Sequence, residues 1–116
     1  MKKLLVVGAD WKFRALLRAE LRERGYDARG YESLAEAEAE LASGEPPAAL
    51  LLALPAGESN QQQEQIARWA LYLPVILVVA GSEKKFPEAA NIRVLRHPVR
   101  VEDVVATVVE QAGPAH

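Results

Sequence analysis

The side chains able to do chemistry are few and scattered. There are two histidines, His97 and the terminal His116, and no cysteine. A thiol nucleophile, a thiolate metal site and a disulfide are therefore excluded. One imidazole inside the chain and one at its end do not support a Ser–His–Asp set. Asp10 closes the stretch "LLVVGAD", where a carboxylate can either ligate a hard cation or cap a helix. "VVGAD" has the outline of a nucleotide-binding turn but lacks G-x-G-x-x-G, and no Walker pattern appears. His97 stands directly before Pro98, and an imidazole holds an anion only when protonated. No catalytic, metal or cofactor-binding residue is assigned from these groups, and enzymatic activity is not expected.

The elements that would position such groups are clearer. The chain has 116 residues, half of them hydrophobic, which suits one domain with one core. "LLVV" (4–7), "AALLLAL" (48–54) and "PVILVV" (74–79) are continuous apolar runs, as in strands buried on both faces. "DARG" and "NIRVL" read as weaker strands. Between them lie helical patterns. Phe13, Leu16, Leu17 and Leu21 follow the Asp10 cap and stop at Gly25. Leu34, Ala37 and Leu41 form a second stripe that stops at Gly44. Ile66, Trp69, Ala70 and Leu73 form a third, with Ser59 or Asn60 as its cap and Trp69 in the core. Val101, Val104, Val105, Val108 and Val109 form the last. Strand–helix alternation predicts a doubly wound α/β fold, a five-stranded parallel sheet of flavodoxin-like order 2-1-3-4-5. Residues 1–112 form the domain, and 113–116 read as a tail or the start of a linker.

Five pieces in this order resemble the receiver domain of bacterial response regulators: "LLVVGAD", "LRERGYDARGYESLAEAEAEL", "PAALLLALP", "PVILVVA" and "VLRHPV". They cover nearly the whole chain. The resemblance implies five functional positions, and this chain departs from the family at each. Two adjacent metal-binding acids are expected after the first strand, where Gly8 and Ala9 stand. The phosphoryl-accepting aspartate is expected on the third strand, at Ala53. A Thr or Ser hydroxyl is expected on the fourth, at Val79, and a lysine before proline on the fifth, at His97. Oxygen ligands and a nucleophile are what that chemistry needs, and Gly, Ala and Val supply none. The losses are coherent, since acids crowded at strand ends without a metal only repel each other. The resemblance thus implies a degenerate pseudo-receiver that uses no cofactor and acts by phosphorylation-independent protein contacts in signalling or transcription control. A small-ligand-binding domain of the same fold, or a receiver with its phosphoacceptor moved to Glu58 or Ser59, is the alternative.

Trp11 either lies over the gap left by Gly8, Ala9 and Ala53, or packs against the loop after the third strand, or stands half exposed. Only 18 positions separate Val79 from His97, so the family's fourth helix is expected to be missing or cut to a stub near Pro87–Ala90. That shortening is expected to disturb the family's common docking face.

Charge is segregated. Residues 12–24 carry net +3, residues 32–45 net −5, and residues 84–100 net +4. Arg93, Arg96 and Arg100 are candidates to meet an acidic protein surface, on another protein or on the second helix of another copy in a homodimer, and Trp11 is a further candidate for the interaction surface. The net charge of −2 and the absence of a recognition-helix motif argue against direct nucleic-acid binding. The longest apolar stretch is about half of the roughly 20 residues a membrane helix needs, so a cytoplasmic protein is expected.

Overall fold

The computed structural model describes residues 1–55, 62–81 and 91–115. Five strands and four helices are seen among them: β1 Lys3–Gly8, α1 Trp11–Glu23, β2 Asp27–Tyr31, α2 Leu34–Ser43, β3 Ala49–Ala53, α3 Gln63–Ala70, β4 Val75–Val79, β5 Ile92–Arg96 and α4 Val101–Ala112. All strand pairs are parallel, in the order β2-β1-β3-β4-β5. The sheet is as the sequence predicts.

The inner strands are buried on both faces because successive side chains enter different cores. Leu5, Val7, Leu50, Leu52, Leu77 and Val79 pack under α2 and α3 with Leu34, Leu41 and Ile66. Leu4, Val6, Leu51, Ile76 and Val78 pack under α1 and α4 with Leu17, Leu21, Val104 and Val108. The edge strands are half polar: Ala28 is buried while Arg29 is exposed, and Ile92 is buried while Arg93 is exposed.

Local signals set the helix ends. Asp10 Oδ1 accepts the N–H groups of Lys12 (3.1 Å) and Phe13 (3.3 Å), so it is the cap of α1. Gly25, at φ 96°, turns the chain out of α1 in a conformation that favours glycine. Ser33 Oγ accepts from Glu36 N–H, while Glu36 Oε2 accepts from Glu32 N–H. This reciprocal pair resembles a capping box displaced by one residue.

Three expectations need correction. Leu16 is 56% exposed, because α1 buries only the row through Leu17 and Leu21. Trp69 is half-buried at the core margin rather than inside it. The cap of α3 is Gln62, with no side-chain cap bond; Ser59 and Asn60 lie outside the described residues, as does the stub expected near Pro87–Ala90.

The end of the chain is packed as far as Ala115, which is 8% exposed and joins the α1/α4 core. Lys2 Nζ donates to Ala112 O at 2.8 Å, and the Tyr26 hydroxyl donates to Gly113 O. Tyr26 is 2% exposed. Burial raises its phenol above the ordinary 10.0, with Arg24 opposing in part. Tyr31 is raised too, by burial and then by Glu40. A raised folded-state pKa means the neutral phenol's contribution is complete below about pH 10 and is lost as pH rises through the folded value. Melting temperature is therefore expected to fall above about pH 10, and Tyr26→Phe to flatten that fall. An alkaline limb unchanged in the variant would show that Tyr26 does not carry it.

Candidate functional site

The positions singled out in the sequence meet at the carboxyl end of the sheet, where ligands bind in this type of fold. Gly8 and Ala53 are register partners at the ends of β1 and β3, and Ala53 is paired with Val78. Leu54 N–H donates to Val78 O at 3.0 Å, and His97 N–H donates to Val79 O at 2.9 Å. The backbone thus holds the ends of four strands in one row. The His97–Pro98 peptide bond is cis.

A cleft of about 560 Å³ opens at this row, lined by Ala9, Asp10, Phe13, Ala53, Leu54, Pro55, Ala80 and His97. Its wall is aromatic: the rings of Phe13 and His97 lie 5.8 Å apart, tilted by 54°. Among the described residues its polar side chains are Asp10 and His97, and one Asp10 oxygen is already taken by the α1 cap. Beyond the β1–β3 ends lies a second cleft of about 460 Å³, reaching Ser33, Glu36 and Gln62. Gln62 Oε1 is buried without a hydrogen-bond partner among the described residues.

The side chains do not all point where the sequence positions suggest. Val79 is fully buried in the α2/α3 core, and it is Ala80 that lines the first cleft. Trp11 opens α1 with 63% exposure, its ring beside Lys12 Nζ at 5.9 Å, and does not line the cleft. Phe13 is a cleft wall that helical periodicity reads only as core. Arg14 donates from Nη1 to Gly8 O and so sets a guanidinium at the end of β1. A Cβ at Gly8 would stand 3.2 Å from Ala53 Cβ and 3.3 Å from its carbonyl oxygen, so any side chain there requires β3 to give slightly. No group of three His, Cys, Asp or Glu able to hold a metal occurs among the described residues.

Arg93, Arg96 and Arg100 do not form one face. Strand alternation sends Arg93 and Arg96 to opposite sides of β5, and Arg93 meets Glu110 on α4 at 3.6 Å. Lys84, Lys85, Glu58 and Ser59 lie outside the described residues. No described helix is long and apolar enough to cross a membrane.

No protein-family model and no curated protein matches the chain. Solved structures do. The receiver domain of the hybrid histidine kinase CckA superposes with a TM-score of 0.71, covering 95% of this chain and 98% of that one at 17% identity. The fold is that of a receiver domain. A receiver fold also accounts for the likeness to the lysine decarboxylase LdcF of Francisella novicida, at a TM-score of 0.68 and 17% identity. That match covers 96% of this chain but only 17% of the decarboxylase, so there the same fold forms a small part of a longer enzyme.

Proposed function

We propose that this chain is a receiver-fold binding module without phosphotransfer, acting in the cytoplasm through protein contacts and without a cofactor. One observation carries the reading. The register partners Gly8 and Ala53 stand at the strand ends where a metal-ligating acid and a nucleophilic aspartate would have to face each other. Neither has a side-chain oxygen, and Arg14 already occupies the carbonyl of Gly8. A phosphoryl acceptor needs a nucleophile, and magnesium needs oxygen ligands. Signalling or transcription control is the setting that best suits such a module.

An amide NMR titration with magnesium and then beryllium fluoride tests this. Gly8, Ala53, Leu54 and His97 are expected to stay in place at millimolar concentrations of both. Joint, saturating shifts of these signals would establish a live site and sink the reading. A second reading is a small-ligand site in the Phe13–His97 cleft, whose size falls within the usual range for such sites. A saturable rise in melting temperature with a metabolite, reported by the same amides, would favour it over the first.

A further inference from the structure

Helix α1 carries Arg14, Arg18 and Arg22 at i, i+4 and i+8. This spacing places them on one face, about 6 Å apart along the axis, where like charges repel. Each is anchored to the backbone rather than to an acid. Arg18 Nε and Arg22 Nε both donate to Ala28 O, at 3.2 and 3.3 Å, and Arg14 donates to Gly8 O. None of the three is in an ion pair among the described residues. An arginine has five N–H donors, so most of each guanidinium is left to face a partner.

The anchoring carbonyl lies on the open edge of the sheet. Asp27 N–H donates to Lys2 O, so in a parallel ladder residues 27, 29 and 31 bond to β1 while Ala28 and Gly30 turn their backbone outward. The arginine stems also lie over Gly30: a Cβ there would meet Arg18 Cδ at 2.8 Å and Arg14 Cδ at 3.4 Å. The β2 edge is therefore closed to strand addition and lined instead by cations.

The other face of the same edge is acidic. Glu32, Glu36 and Glu40 recur at the same spacing, i, i+4 and i+8, on and just before α2. Glu40 is held by Arg29 (2.6 Å) and Lys3 (3.3 Å). Glu32 and Glu36 are exposed and in no ion pair among the described residues. Since α1 and α2 cover opposite faces of the sheet, a half-turn about an axis parallel to β2 exchanges the two rows.

We propose that two copies of this chain associate across their β2 edges, the α1 arginine row of each lying against the α2 carboxylates of the other. Both helices run back along the sheet, so α1 and the partner's α2 lie side by side in the same direction. Arg14 then faces the level of Glu32, Arg18 that of Glu36, and Arg22 that of Glu40. The contact is isologous and closes on itself, so it makes a dimer and not a filament. This inference names a partner for the binding module proposed above, and the two fail separately. The magnesium titration tests the silent site, and sedimentation tests the edge.

Sedimentation velocity of the whole chain is expected to show a concentration-dependent dimer that weakens with salt. The double variants R14E/R18E and E32R/E36R should each weaken it by about tenfold or more. An equimolar mixture of the two should restore a one-to-one dimer, because every contact then joins opposite charges. R22E alone, which leaves Arg18 on the Ala28 carbonyl, keeps the test open should the first double variant fail to fold. A chain that stays monomeric up to millimolar concentration overturns the proposal. So does a dimer indifferent to these reversals, or one seen only with another anionic macromolecule.

Discussion

Leu77→Ala is expected to remove about 2–5 kcal/mol of folding stability. Leu77 is fully buried on β4, an inner strand with β3 on one side and β5 on the other. Its side chain belongs to the core under α2 and α3, together with Leu5, Leu52 and Ile66. Truncation removes the transfer free energy of the lost carbons and leaves a cavity. The cavity closes poorly, since the sheet on either side is fixed by its ladder bonds. Domains of this size have about 5–15 kcal/mol in all, so one truncation takes a large share. Urea unfolding should show a lower midpoint at unchanged slope. A loss under about 1 kcal/mol would mean that this face is not packed as described.

Gly81→Ala should have the second largest effect, about 1–3 kcal/mol, by overpacking. A Cβ at Gly81 would stand 2.5 Å from His97 O and 3.6 Å from its carbonyl carbon. The obstacle is backbone, and His97 N–H is itself tied to Val79 O, so neither side can rotate away. The strain should reach the cleft, shifting the signals of His97 and of Phe13 against it. Gly30→Ala is the control. Its close contact, 2.8 Å, is to Arg18 Cδ, part of a flexible side chain that can move at lower cost. Equal losses at the two positions would show that the backbone contact is not what sets the effect.

The sequence reveals the parts of this architecture that depend on composition along the chain. The three buried runs are unbroken because inner strands meet a core on both faces. Asp10 and Gly25 mark α1 because cap and stop need those residue types. That Gly8, Ala53 and Val79 carry no side-chain oxygen is legible in the letters alone. What escapes is direction. Val79 belongs to the row of strand ends, yet strand alternation sends its side chain into the core and leaves the cleft to Ala80. Leu16 fits the helical period, but which neighbours cover α1 is a matter of packing. The start of α3 is hidden in "QQQEQ", where no cap residue marks the first turn. Ser33 and Glu36 do stand as S-x-x-E in the letters, and reading that stretch only for its apolar stripe misses them. The arginine row is plain in the sequence. That its anchor is an outward carbonyl is not, because ladder parity is fixed only once β2 is in register.

Lys2 and Ala112 touch although 110 positions separate them. With Tyr26 bound to Gly113 across 87 positions, this stretch of chain begins and finishes at one place, at the end of the sheet away from the clefts. In topological terms it is nearly a ring. Where the ring is cut sets the order in which the elements are made, and the finished packing does not depend on that cut. A permuted chain joined across this contact and opened at another exposed turn would keep the same parallel sheet, with β1 still inside it.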